Sequence, residues 1–148
     1  MLPRWHILFG AIFTFILYYF SPRTPKLFLF LVFFASFLID FDHYICAVLK
    51  TGRISLFDAF DYHKEMLKKE EQEIKKRIRR KGDDFHFFHT IEFHILIAIL
   101  GIYWIEFFYI FIGMIFHSLL DVCSSLYTER FHRREYFFFN WVGRKLFK

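Results

Sequence analysis

Three stretches of the chain carry almost no charge: residues 7–20 (ILFGAIFTFILYYF), 27–39 (LFLFLVFFASFLI) and 95–116. Their apolar residues are blocked rather than periodic, so lipid rather than water is the expected surroundings. As one helix, Thr90 to Asp121 would be about 48 Å long at 1.5 Å per residue. That exceeds a hydrocarbon core of about 30 Å unless the helix tilts severely. Gly101-Ile102-Tyr103-Trp104-Ile105-Glu106 interrupts its middle with a glycine, a tryptophan and an acid, which predicts a tight turn near Trp104 to Glu106. The pattern therefore predicts an all-α membrane protein, a single domain over 1–148. Four short transmembrane helices, about 6–20, 27–49, 86–103 and 105–122, form two antiparallel hairpins. A basic loop over about 50–84 holds a charged helix, and an amphipathic tail covers 127–148.

Composition agrees with this pattern. Of the 148 residues 56% are hydrophobic and 24% aromatic, with 25 Phe, which is far from a soluble composition. The first apolar segment follows a basic start, as in a secretory signal. No small-x-small cleavage site follows Phe20, so it is expected to stay as a helix. Most of the 20 Lys and Arg lie between Lys50 and Lys81 or between Arg130 and Lys148. By the positive-inside rule the loop, the tail and both termini are then cytoplasmic, in a multi-pass protein of the cell membrane. Cys46 and Cys123 lack paired-cysteine spacing and read as small buried hydrophobes.

The polar residues that interrupt the apolar segments are of metal-ligand type. In an antiparallel hairpin, residues equidistant from the turn lie at one depth. The midpoint between His6 and Asp40-Phe41-Asp42-His43 falls in the Pro-rich loop near residue 24, and that between His94 and His117 falls near residue 105. The two hairpins thus bring His6, Asp40, Asp42, His43, His89, His94, His117 and Asp121 to one cytoplasmic-side layer. Polar residues at helix ends often serve only the headgroup region. Eight of them at one depth point to function, because ionisable groups at membrane depth are costly.

Imidazole and carboxylate together suit a divalent ion such as Zn or Mn, one or two in number, rather than a thiolate-selected metal. His117 and Asp121 are four apart and stack on one helix face. Asp40 and His43 are three apart on one face, whereas Asp42 is turned away, so not all three are expected on one ion, and one of them is a candidate to orient a ligating imidazole instead. His89 and His94 are five apart, so both reach one site only if the helix begins between them or if two metals are present. Whether His86 or His94 supplies the ligand is left open by the spacing. Catalysis by such a centre would use water activated by the metal. Glu92 is the nearest carboxylate in sequence and the candidate general base, with a salt bridge or direct ligation as alternatives.

The order of His6, then Asp40-Phe41-Asp42-His43, then His89 with His94, then His117 with Asp121 resembles the inner-membrane metal-dependent hydrolase family, some of whose members are described as LexA-binding. The resemblance implies a hydrolase. Where that family commonly has Pro, Arg, Thr and Ser beside its ligand residues, this chain has Ile39, Thr90, Phe93 and Ile95. No arginine phosphate clamp is therefore expected next to His89.

The leading expectation is hydrolysis of an ester, a phosphate ester or a lipid, since the site would open at headgroup depth. The alternatives are a non-catalytic metal-binding membrane protein and a scaffold using the basic loop. His63 to Lys81 reads as a charged helix with i, i+4 pairs Glu65/Lys69, Glu71/Lys75 and Glu73/Arg77, lying on anionic lipid headgroups. It resembles no base-reading motif, so nucleic acid is not an expected partner. The tail mixes Arg130, Arg133, Arg134, Arg144, Lys145 and Lys148 with aromatic residues, as an interfacial anchor does, and His132 among them reads as a surface residue. Oligomeric state leaves no signature.

Overall fold

The computed structural model describes residues 3–78, 80–82 and 84–147, so Arg79 in the loop and Lys148 in the tail lie outside the described residues. Among the described residues, seven α-helices run α1 Pro3–Phe20, α2 Lys26–Leu38, α3 Phe41–Thr51, α4 Leu56–Lys75, α5 Ile91–Tyr103, α6 Ile105–Tyr127 and α7 Phe138–Leu146. Short 3-10 turns lie at Phe87–His89 and Phe131–Arg133, and no strand occurs among the described residues.

Two apolar stretches are long enough to cross a membrane, Lys26–Thr51 and Ile105–Tyr127, while α5 is a shorter apolar helix. Only 28% and 22% of their apolar windows are buried within the molecule, so these helices turn most of their hydrophobic surface outward.

Small residues set the packing of α1, α2 and α6. A Cβ on Gly113 would lie 2.4 Å from the Val32 carbonyl oxygen and 2.8 Å from Ala35 Cβ. One on Gly10 would lie 2.0 Å from Ser36 Oγ. At Gly113 backbone therefore meets backbone, and at Gly10 the backbone of α1 meets the Ser36 side chain, close approaches that small residues permit. Stacked rings flank the contacts, Phe13 on Phe116 at 4.1 Å and Phe28 on Tyr109 at 4.6 Å. Buried Ile39, Ile97 and Met114 knit α2, α5 and α6 together.

The expected turn near Trp104 falls at Trp104 itself, whose extended backbone (φ −132°) separates α5 from α6. Gly101 allows the reversal, since a Cβ there would stand 2.9 Å from the Phe108 amide nitrogen. The expected helix over 27–49 is instead broken at Ile39 and Asp40. There Asp40 N donates to the Phe37 carbonyl and His43 N to the Asp40 carbonyl, in tighter i to i−3 bonds.

The charged helix begins at Leu56 and ends at Lys75, short of Gly82. Arg77 takes a left-handed φ of 56°, with Arg77 N donating to the Ile74 carbonyl and Ile78 N to the Glu73 carbonyl. That double bond closes a Schellman cap without a glycine. Two of the expected i, i+4 pairs give way to tertiary ones: Glu71 pairs with Arg130 at 2.9 Å, and Glu73 with Arg80 and Arg133 at 2.7 Å each. The same cap recurs after α6, where Glu129 has φ 57°, Glu129 N donates to the Leu126 carbonyl and Arg130 N to the Ser125 carbonyl. It turns residues 130–136 back toward the helical bundle. Cys46 is buried as expected, whereas Cys123 is exposed and both are free.

Gly113→Ala is expected to destabilise the protein by about 1–3 kcal/mol through overpacking against α2. Thermal unfolding of the detergent-solubilised protein followed by circular dichroism checks this. An unchanged midpoint would contradict the close-approach account.

Candidate metal centre

Small-residue packing places the ligand-type side chains. His6 lies one turn before Gly10 and His117 one turn after Gly113, so each shares a helix face with the contact that draws its helix in, while Asp40 follows Ser36 across the break that ends α2. His6 and His117 are fully buried and their rings stack with centroids 3.9 Å apart.

The break in α2 also orients a ligand. Because Asp40 N donates to Phe37, the Ser36 carbonyl is open to His117, whose Nδ1 donates to it at 2.9 Å. The His117 Nε2 lone pair then faces inward. His89 is oriented in parallel fashion, its Nδ1 donating to Asp42 Oδ2 at 3.0 Å, while Phe88 N donates to the same oxygen at 2.9 Å. A backbone carbonyl or carboxylate behind each imidazole is the usual support for a metal-binding histidine.

The two inward nitrogens, His89 Nε2 and His117 Nε2, stand 3.0 Å apart. Asp40 Oδ1 lies 3.6 Å from the first and 3.5 Å from the second. Asp121 Oδ2 lies 3.7 Å from the first and 3.5 Å from the second. With metal–ligand bonds of about 2.0–2.2 Å, neighbouring ligands in a tetrahedron are separated by roughly 3.3–3.5 Å. His89 and His117 each stand at about that separation from Asp40 and Asp121, and the four-residue group whose donor atoms all lie within 4.8 Å of one another is His6, Asp40, His117 and Asp121. The other carboxylate oxygens turn toward His6, whose Nε2 is 3.2 Å from Asp121 Oδ1 and 3.9 Å from Asp40 Oδ2. Both carboxylates are placed to bridge two positions.

Two further groupings extend the cluster, Asp40 with His43 and His89, and Asp42 with His43 and His86. Both ring nitrogens of His6, Asp40 Oδ2, Asp42 Oδ1 and His86 Nδ1 are buried without a hydrogen-bond partner. A single proton shared by the facing imidazoles leaves all of these unsatisfied, whereas cations among them would engage them. The residues present fit a divalent metal.

His94 and Glu92 depart from expectation. His94 Nδ1 donates to the Thr90 carbonyl at 2.8 Å and its Nε2 accepts from Ser118 Oγ at 2.9 Å, so both nitrogens are occupied outside the cluster. The helix does begin between His89 and His94, at Ile91, but His94 still emerges on another face. Of the two open candidates, His86 is the one placed beside Asp42 and His43. Glu92 accepts from Phe138 N at 3.0 Å and Phe139 N at 3.3 Å, capping the start of α7. Its carboxylate holds the tail to α5 rather than facing the cluster as a base.

Arg134 is the site residue that sequence reasoning missed. Its Nη1 donates to Asp121 Oδ2 at 2.6 Å, and it reaches there because the cap at Glu129 reverses the chain. Neither a glycine nor a spacing rule marks that reversal. Arg133 is buried on Glu73, which its bonds to Arg80 and Arg133 hold below the usual carboxylate pKa. Burial instead raises Glu70, which lines the cavity beside the cluster. That cavity, of about 440 Å³, is also lined by His43, His86, Asp121 and Arg134.

No known protein family, curated protein or solved structure matches this chain.

Replacing His117 or Asp40 by Ala is expected to remove bound metal from the purified protein, while His94→Ala and Glu92→Gln retain it. Elemental mass spectrometry of the four variants reads this directly. Equal metal loss in His94→Ala would overturn the ligand assignment.

Proposed function

We propose that the chain is a four-span membrane hydrolase whose His/Asp centre holds one or two divalent ions and cleaves a phosphate ester. The carrying observation is the buried convergence of His6, Asp40, His117 and Asp121, whose donor atoms lie within 4.8 Å of one another, with His89 Nε2 3.0 Å from His117 Nε2 and both of those imidazoles donating their Nδ1–H away from the cluster. The resemblance to the inner-membrane metal-dependent hydrolases points the same way.

Topology supports the four-span reading. Glu71 and Glu73 of the loop meet Arg130 and Arg133 of the tail, so loop and tail share one side and an even number of spans separates them. Their basic character makes that side cytoplasmic. The outward apolar surfaces of Lys26–Thr51 and Ile105–Tyr127 would face lipid. The two hairpins would then be α1 with α2 and α5 with α6, and the centre would open at headgroup depth.

A divalent cation held there supplies Lewis acidity and makes a water nucleophile accessible near neutral pH. The chain's own groups do the rest. Asp42 fixes the His89 tautomer, and the Ser36 carbonyl fixes that of His117. Arg134 holds Asp121 and adds positive charge where phosphoryl oxygens would gather negative charge. With Glu92 engaged by α7, His43 is the imidazole placed for proton transfer, since its side chain is 33% exposed and lines the cavity.

Hydrolysis of p-nitrophenyl phosphate and bis-p-nitrophenyl phosphate by the detergent-purified protein tests this. Chelation should abolish turnover, Zn or Mn should restore it, and Asp40→Asn should lower kcat at least about 100-fold. Retained metal with no turnover of either ester would leave the non-catalytic metal-binding reading.

A further inference from the structure

Two cavities meet at the same pair of residues. Asp121 and Arg134 line both the polar cavity of about 440 Å³ and a second groove of about 710 Å³. The second is of opposite character. It runs along α5 and α6 past Ile95, Ala98, Phe111 and Ile115, and its inner end is closed by His89 and Arg134. Ile91, Ile95 and Ile115 on its walls are 42%, 53% and 38% exposed, so the groove opens on the outward apolar surface of the two helices.

Arg134 is half engaged at that junction. Its Nη1 donates to Asp121, but its Nη2 is buried without a hydrogen-bond partner. A buried guanidinium N–H lacking an acceptor is costly, and its fork geometry suits a phosphate oxygen. A water-soluble ester would need the polar cavity alone. Continuation of the site into an apolar channel between lipid-facing residues calls for a ligand with an apolar chain.

Resting on the hydrolase reading, we propose that the substrate class is a membrane lipid bearing a phosphate group, with its chain in the α5/α6 groove and a phosphate oxygen on Arg134 Nη2. The phosphorus would then lie beside Asp121, within the metal cluster, while the remainder of the headgroup occupies the polar cavity. Arg134 is a substrate-binding residue in this account, and Ala98 sets the width of the channel.

Native mass spectrometry of the full chain in detergent, with metal content measured on the same sample, tests the proposal by binding rather than turnover. The probes are dioleoyl phosphatidic acid, dioleoylglycerol and glycerol 3-phosphate. Wild type should bind phosphatidic acid about ten-fold or more tighter than dioleoylglycerol, as a charge-assisted hydrogen bond implies. Arg134→Gln should erase that preference. Ala98→Phe, which fills the groove away from the cluster, should weaken both lipids and leave glycerol 3-phosphate unaffected. Equal binding of the two lipids by wild type, or full lipid binding by Ala98→Phe, overturns the proposal. Should Arg134→Gln misfold or lose metal, the Ala98→Phe arm and the wild-type preference decide. Lipid phosphate binding without turnover of any ester sustains the groove assignment and removes the hydrolase reading. Turnover of soluble esters without lipid preference does the reverse.

Discussion

Everything in this molecule depends on how closely α1, α2 and α6 approach. Gly10 and Gly113 leave no room for a larger side chain at the crossings, and His6 and His117 each lie one turn from them, with Asp40 just past the end of α2. Helix separation and donor separation are therefore one quantity. Donor atoms from different helices must come within 3.0–3.9 Å for the cluster to exist. A methyl group at Gly113 would push against the backbone of α2 and widen that spacing.

Gathering imidazoles and carboxylates inside an apolar bundle is unfavourable unless their charges and lone pairs are matched. The chain meets this with two unlike supports. Asp42 acts inward from the start of α3, accepting from Phe88 N and His89 and so fixing an imidazole that comes from a 3-10 turn rather than from one of the long helices flanking the crossings. Arg134 acts from the tail, matching the charge of Asp121. The tail is itself fastened by Glu92 at α7 and by Ile91 N donating to the Tyr136 carbonyl. Residues that read as surface anchor thus complete the interior.

Depth was legible in the sequence because a hairpin pairs residues equidistant from its turn, and His6 does meet Asp40 across the Pro-rich loop. Azimuth was not. His94 reaches the level of His117 but its two ring nitrogens meet the Thr90 carbonyl and Ser118, away from the cluster. Turn chemistry explains the remaining differences. The break at Trp104 carries a glycine and an aromatic residue that announce it, whereas the reversals at Arg77 and Glu129 use residues that seldom take left-handed backbone. Without those reversals neither the end of α4 at Lys75 nor the position of Arg134 can be anticipated. The Glu71 and Glu73 pairings were misread for the same reason, because a linear helix offers i+4 partners while the folded chain offers Arg130 and Arg133.

The centre draws on nearly the whole length of the chain, from His6 in the first helix to Arg134 beyond the sixth. It is therefore a late product of synthesis. While the ribosome is still making α6, His6, Asp40 and Asp42 already occupy their hairpin, but their partners His117 and Asp121 do not yet exist beside them. The nascent chain must carry those groups unmatched until its last third arrives. A cluster of this kind closes only when the whole bundle has folded, because a truncated chain has His6, Asp40 and Asp42 and lacks His117 and Asp121.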